Sequence, residues 1–135
     1  MESHPSNLYN RDERHLRYAM LTARNSTASN YKMGAVIVKG NQVVGFGFND
    51  PKKTHPSSTT YGRKIHAELA AIINSRCDLR GATLYVYRSG KNERPLMSKP
   101  CQHCQTLIKR EGIKTVVFTI NDGAMKMSAA ELVGE

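Results

Sequence analysis

The chain has little cysteine, no long apolar run and a shortage of acidic residues, and each lack removes a class of explanation. Three cysteines in 135 residues do not make a disulfide framework, because small bridge-dependent secreted domains carry cysteines in larger, even numbers. Cys101 and Cys104 form a Cys-x-x-Cys pair, a spacing that in a reducing compartment serves a metal or a redox couple. Cys77 is left over and is expected to be a free, partly buried thiol. Apolar runs are strand-sized, far short of the roughly 20 residues that a membrane-spanning helix needs. The first ten residues are polar and hold no signal-peptide core, so a cytoplasmic protein that does not engage membranes is expected. No internal repeat is apparent. Acidic residues number 11 against 20 lysines and arginines, a formal net charge of +9. That excess points to an anionic partner or to a solvated basic surface, and charge alone does not choose between them.

What is present suffices for one compact unit. A chain of this length, 39% hydrophobic, can bury a sizeable core and leaves no room for a second, so a single domain over residues 1–135 is expected. Arg11 to Ser26 reads as a first helix, with Leu16, Ala19, Met20 and Ala23 at helical spacing, ended by the small polar residues from Asn25 to Asn30. Residues 34–38 and 42–48 read as a hairpin turned by Lys39-Gly40-Asn41. Asn49 to Lys64, with its two prolines and its Ser and Thr, reads as a surface loop. A second helix is expected from near Ile65, with Leu69, Ala70, Ile72 and Ile73 buried and His66 in its first turn. A third strand, Ala82 to Arg88, leads into a basic, turn-rich loop over Ser89 to Lys99. Pro100 is suited to start a helix that runs to Glu111, with Gly112 as its C-terminal cap. Ile113 to Ile120 reads as a fourth strand, and Asn121-Asp122-Gly123 turns the chain back into Ala124 to Met127, with Ser128 and Glu131 capping a last helical turn. Only twelve residues follow Gly123, too few for a crossover helix and another parallel strand. The expected fold is therefore α/β: a three-layer α/β/α sandwich around a mixed five-stranded sheet whose last strand is antiparallel.

Two motifs carry chemistry. His66-Ala67-Glu68 lies upstream of Pro100-Cys101-Gln102-His103-Cys104. Three residues apart at the start of a helix, Cys101 and Cys104 project their sulfurs from one face, where the helix dipole favours thiolate. His66 adds a neutral nitrogen, and three protein ligands leave the fourth tetrahedral position of a zinc ion open, as catalytic sites require. Zinc lowers the pKa of a bound water from 15.7 to roughly 7 and so supplies a nucleophile near neutral pH. A carboxylate that is not needed as a ligand, Glu68, is then placed to move protons.

His-x-Glu followed by Pro-Cys-x-x-Cys resembles the signature of the cytidine and deoxycytidylate deaminase superfamily. The resemblance extends from the first helix to Gly123, and the antiparallel ending is similar to the branch that holds free cytidine deaminases and several deaminase toxins, rather than to the branch with a parallel last strand. It implies a zinc-dependent hydrolase in which Glu68 takes a proton from water, delivers it to ring N3 as C4 of cytosine is attacked, and later protonates the departing amine. It also implies that the backbones of Ala67 and Cys101 contact the pyrimidine, that Asn49, after Gly45-Phe46-Gly47-Phe48, hydrogen-bonds a ribose hydroxyl, and that the protein forms a homo-oligomer.

The basic residues fall in two groups before the motifs: Lys52, Lys53, Arg63 and Lys64 ahead of His66, and Arg88, Lys91, Arg94 and Lys99 ahead of Cys101. They are candidate phosphate contacts, which makes a pyrimidine nucleoside or nucleotide such as dCMP or CMP the expected substrate. Other readings stand beside this one. Cytosine, or less readily adenine, in single-stranded nucleic acid would need aromatic faces for the flanking bases, for which Tyr61, Tyr85, Tyr87, Phe46 and Phe48 are available. A non-catalytic nucleic-acid-binding module would close its zinc with a fourth protein ligand such as His103 or Cys77. A redox pair would leave His66 and Glu68 without a role.

Overall fold

A computed structural model describes residues 8–28, 31–54, 64–75 and 77–132, with the side chains of 51–65 outside the description. The first helix, α1 (Asn10–Ala23), starts one residue earlier and ends three earlier than its periodicity suggests. Its N-terminus is closed by Asp12, whose carboxylate accepts the backbone N–H of Tyr9 at 3.0 Å; acid in the first turn also suits the helix dipole. Leu16, Ala19 and Ala23 form its buried stripe, as their spacing predicts.

The strands β1 (Lys32–Lys39) and β2 (Gln42–Phe48) make the expected antiparallel hairpin. The stretch read as a surface loop instead contributes β3 (Asp50–Thr54), which pairs antiparallel with β4 (Lys64–Ile65). Such short, polar strands carry no apolar alternation, so the sequence gives no period by which to find them. Helix α2 (Ala67–Asn74) follows, with His66 in an extended conformation as its N-cap rather than in its first turn. Then come β5 (Thr83–Ser89), a 3-10 turn over Lys91–Glu93, β6 (Pro95–Leu96) and helix α3 (Gln102–Arg110). Pro100 lies just outside α3, whose N-cap is Cys101. Gly112 sits at φ 78°, the left-handed conformation that ends a helix at little cost. The chain closes with β7 (Thr115–Ile120), β8 (Gly123–Ser128) and a 3-10 turn over Ala129–Glu131 with the expected Ser128–Glu131 capping box.

The main sheet has the order β2-β1-β5-β7-β8, with β6 added beside the end of β5, so it holds six strands rather than five. β5 and β7 are parallel, whereas β7 and β8 form the expected antiparallel hairpin. The central strands are covered on both faces. Leu16 and Ala19 of α1 pack with Val36, Val38, Tyr85, Tyr87 and Val117 on one face. Ala67 and Ala71 of α2 and Ile108 of α3 pack with Ala35, Ile37, Leu84, Val86, Val116 and Phe118 on the other. The alternation along each strand thus produces the three layers, with α1 alone on its side and the two motif-bearing helices together opposite it. A Cβ added to Gly47 would lie 2.5 Å from the Cβ of Ala70. Only glycine therefore allows α2 to rest directly on β2 at this point.

Candidate active site

The site forms where α2 and α3 begin. His66 and Cys101 cap the two helices, and Cys104 lies in the first turn of α3. The Nδ1 of His66 is 3.8 Å from the Cys101 sulfur and 3.5 Å from that of Cys104, and the three donor atoms all lie within 4.8 Å of one another. Zinc bonds of about 2.3 Å to sulfur and 2.0–2.1 Å to nitrogen, at tetrahedral angles, require N···S edges of about 3.6 Å. The two N···S distances are therefore close to the edge length of a zinc tetrahedron, and soft thiolates with imidazole are a ligand set that suits zinc. Among the described residues, this group holds three donors and no fourth. Cys77, expected to be partly buried and weighed as a closing ligand, is exposed and is not part of it.

The electrostatics follow from the crowding of ionisable groups. The Cys101 thiol is pushed down to about 3 by a hydrogen bond from Cys104 and, against the cost of burial, by His66. Cys104, donating that hydrogen bond and buried, is pushed up. The hydrogen bond with Cys101 raises the His66 imidazole. Glu68, the second residue of α2, is only 3% exposed, and loss of solvent pushes its carboxyl upward, opposed by the nearby His66. Burial thus favours the neutral form of this carboxyl.

The other candidate residues are placed less evenly. The pairing of Asp50 with Ile65 brings Asn49 abreast of His66, one residue past the end of that ladder. The Oδ1 of Asn49 accepts the backbone N–H of Met33 at 2.8 Å, which leaves its Nδ2 as the group to donate to a ligand. Ala67 is fully buried at the head of α2. The side chains of Lys52, Lys53, Arg63 and Lys64, and Tyr61, lie outside the described residues. Arg94 is engaged by Asp122 in a two-pronged ion pair of 2.6 and 2.8 Å. Lys91 lines a cavity of about 500 Å³ between the end of α1 and the ends of β1 and β5, together with Arg24, Tyr31 and Glu93. Arg88 lays its guanidinium 4.1 Å from the centre of the Tyr31 ring, a partnership that the sequence does not signal.

Residues 9–120 match the family described as the cytidine and deoxycytidylate deaminase zinc-binding region. The chain belongs to this family. Among its relatives is the deoxycytidylate deaminase of Mycobacterium phage D29, 32% identical over 79% of this chain and 92% of the phage protein. The human deoxycytidylate deaminase is 33% identical over 74% of this chain, but that alignment spans only 59% of the human protein. In three dimensions the fold is similar to that of the cytidine deaminase of Burkholderia pseudomallei, with a TM-score of 0.67, 20% identity, and coverage of 95% of this chain and 98% of the other. The chain is thus a zinc-type cytidine/deoxycytidylate deaminase, and a zinc ion is the metal that its His/Cys/Cys group suits. No helix among the described residues is long and apolar enough to cross a membrane.

Proposed function

We propose that this deaminase hydrolyses the exocyclic amine of a free cytosine nucleotide, of the dCMP or CMP kind, to give the uracil nucleotide and ammonia. The observation that carries the reading is the group of three donors, His66, Cys101 and Cys104, next to a buried carboxyl, Glu68. When bound there, zinc supplies Lewis acidity that makes water a nucleophile near neutral pH. Glu68 accepts a proton from the attacking water and delivers it to ring N3. It then takes the proton of the new C4 hydroxyl and passes it to the amine as the C4–N bond breaks and the C4 carbonyl forms, so that cytosine and water become uracil and ammonia. Burial excludes bulk water from this carboxyl, so that a proton it takes from the attacking water passes to the substrate. The Nδ2 of Asn49, with its Oδ1 already held by Met33, is oriented to donate to a sugar hydroxyl.

The names of the phage and human relatives, both deoxycytidylate deaminases, favour a nucleotide over a nucleoside. The disposition of the aromatic residues favours a free substrate over single-stranded nucleic acid. Tyr85 and Tyr87 are buried, and their hydroxyls donate to Asp12 and to the Glu93 carbonyl, both at 2.6 Å. They offer no stacking platform. Phe46 is exposed but alternates with Gly45 and Gly47, which face α2, and so it stands on the opposite side of the sheet from the metal ligands.

Ammonia release by the zinc-loaded protein tests the reading with cytosine, cytidine, deoxycytidine, CMP, dCMP, adenosine, guanine and a cytosine-containing single-stranded oligonucleotide. Turnover concentrated on dCMP or CMP is expected. Turnover only on the oligonucleotide would replace the reading with nucleic-acid editing, and turnover on none would return the structural-zinc alternative.

A further inference from the structure

We infer that Arg88, steadied by Tyr31, is the residue through which the site recognises the 5′-phosphate, and that this one guanidinium sets the preference for nucleotide over nucleoside. The inference rests on the nucleotide reading above and singles out one of eight basic candidates, four of which have side chains outside the described residues. It begins from the faces of the sheet. Along β5, Tyr85 and Tyr87 pack under α1, whereas Leu84 and Val86 pack with Ala67 and Ile108 beneath α2 and α3. Strict alternation puts Arg88 on the face that carries the metal ligands. Arg88 is paired with Met33 across β1, and Met33 exchanges hydrogen bonds with Asn49, its N–H donating to Oδ1 and its carbonyl accepting the Asn49 N–H. Arg88, Met33 and Asn49 therefore form one row across three neighbouring strand ends, with the group proposed to hold the sugar at one end and a cation at the other.

This cation is unlike the other well-placed arginines. Arg24, Arg80 and Arg94 are each tied to a carboxylate, of Glu93, Asp78 and Asp122 respectively. Among the described residues no carboxylate pairs with Arg88. Its backbone is fixed, with the N–H donating to Thr119 Oγ1 at 3.2 Å and the residue paired with Leu96 of β6. Its side chain is stacked on Tyr31 and reaches the Met97 carbonyl from Nη1 at 3.4 Å. The Nε is buried and has no hydrogen-bond partner, a donor that calls for an acceptor. A guanidinium that is half-buried, stacked and without a counterion is pre-organised for a dianionic, planar-edged acceptor, and a phosphate accepts its parallel N–H groups two at a time.

The test compares dCMP with deoxycytidine, which differ only by the phosphate, in the zinc-loaded wild type, Arg88→Ala, Arg88→Gln, Tyr31→Leu and Tyr31→Phe. Equilibrium binding of dUMP and deoxyuridine to the same proteins gives a readout that does not need turnover. For Arg88→Ala, kcat/KM on dCMP falls on the order of 10- to 100-fold, mostly in KM. The fall on deoxycytidine is far smaller, so the preference collapses, and Arg88→Gln behaves in the same way. Tyr31→Leu shows a lesser loss in the same direction, and Tyr31→Phe, which keeps the ring, restores the preference. Equal losses on both substrates would make Arg88 a mere clamp on Met97 and overturn the inference, as would a preference that survives in both Arg88 variants while the wild type favours dCMP. A wild type that acts on deoxycytidine and not on dCMP would instead bring down the nucleotide reading, and the inference with it.

Discussion

Both faces of the central sheet bury a carboxyl, and they treat it in opposite ways. Beneath α1, Asp12 is 2% exposed and accepts hydrogen bonds from the Tyr85 hydroxyl at 2.6 Å, the Tyr9 N–H at 3.0 Å and the Lys126 ammonium at 3.1 Å. Burial raises its pKa, but these donors outweigh burial and hold it below the ordinary carboxylate range. Beneath α2 and α3, Glu68 is 3% exposed, and there burial wins and pushes it upward. The first carboxylate is enclosed by donors, caps its own helix through Tyr9 and ties that helix to two strands, β5 through Tyr85 and β8 through Lys126. The second lies two residues from His66, a member of a group of three donors that suits a metal ion, and burial favours its neutral form. Burial depth therefore does not decide which way a carboxyl shifts in this protein; what surrounds it does.

The largest expected effect comes from breaking the metal-bearing face. Cys104→Ser removes a buried ligand, so zinc content falls and turnover drops by at least about 10³-fold, since the metal supplies several kcal/mol of transition-state stabilisation. Metal analysis alongside ammonia release checks this. On the opposite face Asp12→Ala removes the acceptor shared by the half-buried Lys126 ammonium and the buried Tyr85 hydroxyl and costs about 3–5 kcal/mol of stability, read by denaturant unfolding, with turnover per folded molecule retained. The pH dependence sharpens the contrast. The folded-state pKa of Asp12 is depressed, so its contribution is fully present above the unfolded value and fades as pH falls below about 4. Asp12→Ala should therefore flatten the acid limb of the stability curve. The smallest effect is that of Tyr85→Phe, which removes one hydrogen bond to the carboxylate and costs about 1.5–3 kcal/mol.

The grouping of His66, Cys101 and Cys104 was legible because the two cysteines are three apart at one helix start and His66 precedes another. The helix stripe Leu16-Ala19-Ala23, the turn at Asn121-Asp122-Gly123 and the Gly112 cap were legible because each is local in sequence. Asp12 was not, because its partners Tyr85 and Lys126 lie 73 and 114 residues away and an acid in a helix's first turn is explained by the dipole alone. Nor was the loss of Arg94 to Asp122, or the stacking of Arg88 on Tyr31, since only the strand register creates those neighbours. β6 escaped notice because two residues, one of them proline, carry no period. The antiparallel β7–β8 hairpin was legible from the Asn121-Asp122-Gly123 turn.

The central claim is that the buried carboxyl of α2 moves protons and does not hold the fold or the metal. Glu68→Gln tests it most directly, with zinc content, thermal unfolding and ammonia release from dCMP measured on the same sample. The account predicts wild-type zinc, an unfolding temperature no lower than that of the wild type, and turnover reduced by roughly 10²- to 10⁴-fold. Undiminished turnover, or loss of zinc and fold together, would contradict it.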